Sequence, residues 1–216
     1  MRRLRHAVQG STASRRLRGF VARTTLWARR VRVIVIYRMD LRGPLTPYSA
    51  RVPIRIEIAT DEALLRRLAA LKDNPEDDSD LYVRRARRGQ LCFVAWIDDE
   101  PVGLNWLAFG EELDEDRVVR MGDDEVYGLD AFTVPEWRGH AIHTALLARM
   151  LEHAKGAGYR TAYTQVSATT RRSRKTHERL HWTVSGRVLH INMPFGRPAV
   201  MRRLTGSQYP IVHMYR

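Results

Sequence analysis

The stretch Val134-Pro-Glu-Trp-Arg-Gly-His-Ala-Ile-His143 joins a β-branched, strand-like run to a long helical pattern. A strand that turns tightly into a helix leaves several backbone N–H groups without intrahelical acceptors, and the helix dipole adds partial positive charge at the same end. Such a turn suits a diphosphate, with Gly139 allowing close approach of the backbone and Arg138 supplying charge. Just upstream, Asp130 is the one acid inside the apolar run Val126 to Val134. A carboxylate placed there needs either a partner or a cleft, so it is a candidate proton acceptor or a structural hydrogen-bond acceptor.

Elements that position these residues are readable from periodicity. Ile54, Ile56 and Ile58 alternate with polar residues as a half-buried strand. Thr60, followed by Asp61-Glu62 and then Leu64, Leu65, Leu68 and Leu71, reads as a capped helix start. A second short helix over Leu81 to Arg88 stops at Gly89. Leu91 to Ile97 and Val102 to Phe109 form a hairpin around Asp98-Asp99-Glu100-Pro101. The acid-rich stretch Glu111 to Glu125 has no clear period. A helix is expected from about Gly139 to Lys155, a strand over Ala162 to Val166, a basic helix over Thr169 to Leu180 and a strand over Thr183 to Ile191. This order predicts an α/β fold with a mostly antiparallel sheet and one central parallel pair.

Charge is uneven along the chain. Residues 1 to 51 hold thirteen arginines against one acid, Asp40, which accounts for nearly all of the net charge of +13. The rest is close to neutral, so nucleic-acid binding would rest on the arm alone and is not expected. Leu17, Phe20, Val21, Thr24, Trp27, Ala28 and Val31 recur at helical spacing, giving a basic amphipathic helix, and the run Val31 to Tyr37 reads as a strand. The expected division is 1–51 as a basic extension, 52–196 as the main domain and 197–216 as a C-terminal segment. The apolar runs are all shorter than a membrane span requires, and no secretory signal is evident, so a cytoplasmic protein is expected. A single cysteine, Cys92, excludes an internal disulfide and Cys-based zinc binding, and no metal is expected.

Taken in order, these motifs resemble the GNAT acyltransferases. The family's acyl-CoA motif, V-x-P-x-Y/W-R-G-x-G-x-G-x-x-L-L, is similar to T-V-P-E-W-R-G-H-A-I-H-T-A-L-L from Thr133, with Ala141 and His143 in place of the second and third glycines. Its N-x-x-S-x-x-x-Y-E-K-L-G-F segment resembles Thr170-Arg-Arg-Ser173 and His177-Glu-Arg-Leu-His-Trp182. The resemblance implies a mixed, mostly antiparallel central sheet flanked by helices, here with a basic N-terminal extension. It implies acetyl-CoA or a longer acyl-CoA as co-substrate, and a primary amine of a small molecule or peptide as acceptor.

By the same resemblance, the amides of Phe132 and Val134 would meet the pantetheine and thioester. Those of Arg138, Gly139, His140, Ala141, Ile142 and His143 would hold the diphosphate, and Ser173 would touch the pantetheine or phosphates. Asp130 would serve as base, and His177, at the family's tyrosine position, as acid, with His181, Tyr127 and Tyr163 as weaker candidates. The acidic stretch before Glu125 would gather a cationic amine. An acyl carrier protein as donor, a homodimer, and a regulatory protein that kept the fold without the chemistry all stay open.

Overall fold

A computed structural model of the chain describes residues 31–72, 80–114, 117–191, 200–206 and 213–214. The amphipathic helix expected before Val31 lies outside the described residues. The strands are β1 (Val31–Asp40), β2 (Arg55–Ala59), β3 (Leu91–Ile97), β4 (Glu100–Ala108), β5 (Glu111–Asp114), β6 (Arg117–Arg120), β7 (Glu125–Thr133), β8 (Thr161–Ser167), β9 (Thr183–Ile191), β10 (Val200–Gly206) and β11 (His213–Met214). The helices are α1 (Glu62–Ala70), α2 (Asp80–Arg87), α3 (Ile142–Gly156) and α4 (Arg171–Arg179), with a short 3-10 turn over Pro135–Trp137.

Eight strands form one sheet in the order β10-β9-β1-β8-β7-β4-β3-β2. Its pairs are antiparallel apart from β7 with β8, the central parallel pair that the order of elements predicts. Apolar side chains fill both faces. Leu65, Leu68, Tyr82 and Val83 of α1 and α2 pack with Ile34, Ile36, Leu104 and Trp106 on one face. On the other, Ile142, Leu146, Met150 and Leu151 of α3 join Val35, Tyr37, Leu180 and Trp182. No helix among the described residues is long and apolar enough to cross a membrane.

Several boundaries differ from expectation, each for a local reason. The cap of α1 is Asp61 rather than Thr60, because its carboxylate accepts the Leu64 amide at 2.8 Å. Helix α3 starts at Ile142, three residues after Gly139, because Gly139 and Ala141 both take left-handed dihedrals, φ +93° and +62°. The acid-rich stretch is a hairpin, β5–β6, and β11 pairs with it to make a second small sheet.

The larger correction concerns β1. Its residues, assigned by sequence to an appended arm, occupy the interior of the main sheet between β8 and β9. Ile34, Val35, Ile36 and Tyr37 are buried consecutively, so both faces of the strand are covered. The domain edge drawn at residue 52 therefore cuts through one folded sheet.

Candidate functional site

The pairing of β7 with β8 runs from Glu125↔Thr161 to Gly128↔Thr164 and then stops. Gly128 sets the depth of this junction, since a Cβ there would lie 2.9 Å from Met150 Cε of α3. Beyond it, β8 continues along β1 as far as Ile34↔Ser167, whereas β7 continues along β4. Between Leu104↔Phe132 and Trp106↔Leu129 the β7 strand carries one extra residue, and Asp130 sits in this bulge at φ +55°. The two strands part, and a wedge opens between them.

A cavity of about 630 Å³ fills the wedge. Leu129, Asp130, Ala131 and Phe132 form one wall, and Gln165, Val166 and Ser167 the other. His143, Leu147, Ser173 and His177 close it beneath α3 and α4, while Lys72, Leu81 and Arg85 close it beneath α1 and α2. The cavity therefore reaches both faces of the sheet.

At one mouth stands the turn into α3. Its N-cap, Ala141, offers no side-chain acceptor, and the first turn holds no acid. The first amides of the helix thus lack protein partners of the kind a capping residue supplies. The turn itself is anchored from outside: the His140 carbonyl accepts the Arg51 amide at 2.8 Å, and Arg138 Nε donates to the Thr133 carbonyl at 3.1 Å. A Cβ built at Gly139 would meet nothing within 4 Å, so space is open above the turn. Exposed Arg138 and Gly139, uncapped amides and a helix of fifteen residues behind them fit a phosphate-bearing ligand.

Asp130 is held by two cations. Oδ1 meets Lys72 Nζ, and Oδ2 accepts Arg85 Nη1 at 2.6 Å. Arg85 also donates Nε to Glu112 at 3.0 Å, and Arg88 approaches Glu112 at 3.4 Å. Burial of Arg85 is made tolerable by Trp106 and Tyr82, whose rings lie 5.6 and 5.9 Å from its guanidinium carbon. Asp130 thus begins a buried network of alternating charge.

His177 is 2% exposed and donates Nδ1–H to the Ser173 carbonyl at 2.8 Å, because a carbonyl can only accept. Its ring stacks on Tyr37 with centroids 5.0 Å apart and meets Trp182 edge-on. Burial pushes its pKa down to about 4. His143, with its ring centroid 6.2 Å from that of His177, is lowered to about 4 as well, chiefly by burial and then by its neighbour. Near neutrality both rings are uncharged, and the open nitrogen of His177 is a lone pair, a hydrogen-bond acceptor and not an acid. For His143 the outcome is simple: it lines the cavity without adding charge to the turn.

This arrangement makes stability depend on pH. The folded pKa of His177 lies below its ordinary 6.5, so the unfolded chain takes up a proton first as pH falls. Stability is therefore full above about pH 6.5 and declines toward pH 4, by about 1.4 kcal/mol per unit. Denaturant titrations at pH 7.5 and 5.0 are expected to show this loss. His177→Phe, which keeps the stack on Tyr37, is expected to remove its share and leave that of His143, also lowered to about 4, and an unchanged slope in the variant would show that other groups carry it.

Of the residues singled out by sequence, Asp130, Phe132, His143, Ser173 and His177 line one cavity, with Tyr127 beside them. Arg138, Gly139, His140 and Ala141 form the turn, and Ile142 points into the core, so only its amide faces the mouth. The Val134 amide donates to the Val102 carbonyl at 3.0 Å, which uses the hydrogen assigned to the pantetheine. Tyr163, raised first by burial, lies outside the lining. Glu111 pairs with Arg120 and Glu112 with Arg85, so these two acids do not form the expected negative rim. Arg32, Lys72, Arg85 and Asn105, none of which stands in a motif, complete the cavity. Among the described residues no group of three or more His, Cys, Asp or Glu side chains is placed to hold a metal ion.

Comparison with known proteins agrees with this architecture. A family model described as the acetyltransferase (GNAT) family matches residues 59–182. None of the curated proteins matches the sequence. A GCN5-related N-acetyltransferase from Sphaerobacter thermophilus superposes with a TM-score of 0.58 at 14% identity, covering 88% of this chain and 59% of that one. The structure of AAC(6')-Iy in complex with the bisubstrate analog CoA-S-monomethyl-acetylneamine gives 0.51 at 16% identity, covering 68% and 98%. The aminoglycoside 6'-N-acetyltransferase AAC(6')-Ih from Acinetobacter baumannii gives 0.50 at 18%, covering 67% and 100%. The chain spans less than two thirds of the length of the first solved chains it matches, at 63%, 59% and 55%.

Proposed function

Because the chain belongs to the acetyltransferase (GNAT) family, we propose that it moves an acetyl or longer acyl group from acyl-CoA to a primary amine by direct attack. The observation that carries this reading is the uncapped start of α3 at the mouth of a wedge between two diverging strands. The donor supplies an activated carbonyl and a thiolate leaving group. What the chain supplies is placement: the amides from Arg138 to His143 hold the diphosphate, and Ser173 and Phe132 lie along the wedge where the pantetheine runs. Holding two reactants in line contributes more than any single proton transfer in such a reaction.

Roles for the titratable groups follow from their partners. Asp130, engaged on both oxygens, sets the field around the incoming amine and takes a proton only as Lys72 or Arg85 releases it. His177 positions the α4 side of the wedge through its bond to Ser173 rather than donating a proton. That two similar structures are aminoglycoside-type acetyltransferases supports an amine as acceptor.

Thermal denaturation with acetyl-, butyryl-, octanoyl- and palmitoyl-CoA tests the reading. A ligand at a hundred times its Kd adds about 2.7 kcal/mol to the folded state, expected as a rise of about 5–10 °C in a chain of this size. Thiol release on addition of an amine acceptor is expected with the same donors. A flat Tm across all four donors would leave a fold that has lost its chemistry.

A further inference from the structure

Glu112 is fully buried, yet it stands in the β5–β6 hairpin and outside the lining of the cavity. A carboxylate is costly to bury unless a cation meets it. Here Arg85 Nε donates to Glu112 Oε1 at 3.0 Å, while Nη1 of the same guanidinium donates to Asp130 Oδ2 at 2.6 Å. The guanidinium is a rigid plane, so a carboxylate at Nε fixes the direction in which Nη1 points. Glu112 therefore reaches the β7 bulge through one intervening side chain.

The arrangement bears on what happens when Asp130 takes a proton. Arg85 then loses its ionic partner at Nη1, and with a side chain only 4% exposed it has no bulk water to turn to. A buried cation stripped of its carboxylate opposes the transfer. Glu112 lowers that obstacle, because an ionic partner remains at Nε. Arg88, half exposed, approaches Glu112 Oε2 at 3.4 Å and draws part of that charge away. The other charged or titratable groups around Asp130 are Lys72 after α1, Arg32 of β1, Tyr127 of β7, His143 of α3 and His177 of α4.

We propose that Glu112 is a positioning residue for acyl transfer, holding Arg85 in place while Asp130 accepts a proton from the ammonium of the acceptor. In that step an N–H bond breaks, its electron pair stays on nitrogen, and an O–H bond forms on Asp130. The freed amine attacks the thioester carbon. A C–N bond forms, the C–S bond breaks with its electrons on sulfur, and a remaining proton on nitrogen passes to the thiolate. This role rests on the acyl-transfer reading and adds to it a residue that touches neither substrate.

The pH profile of kcat, which reports groups in the substrate complex, tests the role. Thiol release from acetyl-CoA is followed from about pH 5 to 9, with one saturating amine (spermidine, lysine or kanamycin) kept the same for every variant. Rates are expressed per donor site, counted by calorimetric titration of acetyl-CoA. Glu112→Gln keeps an acceptor for Nε without the charge. Its acid limb is expected to move down by about half a unit to one unit, and its plateau to fall about three- to tenfold. Arg88→Gln returns the full Glu112 charge to Arg85 and is expected to move the limb upward. Glu112→Asp is expected to restore most of the parent profile. Acetyl-CoA affinity is expected to stay within about twofold of the parent in all three, since the turn from Arg138 to His143 lies outside this network. A merely structural loss lowers the number of donor sites and leaves the limb where it is. Limbs that stay put in both glutamine variants, or move in the same direction, would overturn the role. Should Glu112→Gln not fold, Arg88→Gln decides alone, from an exposed position. No thiol release by the parent with any of the amines would remove the acyl-transfer reading and this role with it, whereas release with unmoved limbs removes the role alone.

Discussion

Arg85→Ala is expected to destabilise the fold by about 3–5 kcal/mol, the largest effect of a single charged substitution among the described residues. The reason is what it leaves behind. Glu112 is fully buried with Arg85 Nε at 3.0 Å, and Asp130 is 15% exposed with Arg85 Nη1 at 2.6 Å. Removing the guanidinium leaves Glu112 to the longer contact of Arg88 at 3.4 Å and Asp130 to Lys72, and it opens a void between Tyr82 and Trp106. The double variant Arg85→Met with Glu112→Gln, which removes both charges and keeps the volume, is expected to recover most of the loss. Urea titration decides it, with Arg85→Met alone as the control. Equal recovery in Arg85→Met, which leaves Glu112 charged, would mean that packing, not charge, is what Arg85 provides.

Gly139→Val is expected to weaken acetyl-CoA binding by about ten- to a hundredfold and to destabilise the free protein by at most about 1–3 kcal/mol. At φ +93° a β-branched residue is strained by about 1–3 kcal/mol, which the turn relieves by moving away from the dihedrals that aim its amides. Nothing lies within 4 Å of the added Cβ, so crowding does not contribute. Ala141→Gly acts in the opposite sense. Its left-handed φ of +62° costs an alanine about 1–2 kcal/mol that glycine does not bear. The variant is expected to be more stable by about that amount and to bind the donor at least as tightly. Calorimetric titration of acetyl-CoA measures both, and unchanged affinity in Gly139→Val would detach the turn from donor binding.

Local patterns in the sequence report the central elements well. The alternation and β-branched content of β3, β4 and β7, and the turn after Val134, are properties of neighbouring residues, and periodicity detects those. The start of α3 was displaced because a glycine and an alanine in left-handed conformation look, as letters, like the first turn of a helix. Arg32, Lys72, Arg85 and Asn105 are silent in the sequence for a different reason. Each is an ordinary polar residue on its own element, and only the packing of α1, α2, β1 and β4 around the bulge brings them to one cavity. The run Val-Arg-Val-Ile-Val-Ile-Tyr carried a signal that was available: consecutive apolar β-branched residues mark an interior strand. Its arginine-rich flank masks that signal.

The seat of β1 orders events along the ribosome. This strand leaves the exit tunnel more than a hundred residues before its two partners, Thr161–Ser167 and Thr183–Ile191. Until they do, a run of bare apolar backbone has no lawful neighbour, and the sheet is completed only by a closure spanning more than a hundred residues, which is slow. Nascent chains halted before Thr161 must therefore carry this sticky ribbon unpaired, a natural client for a chaperone that grips extended hydrophobic segments.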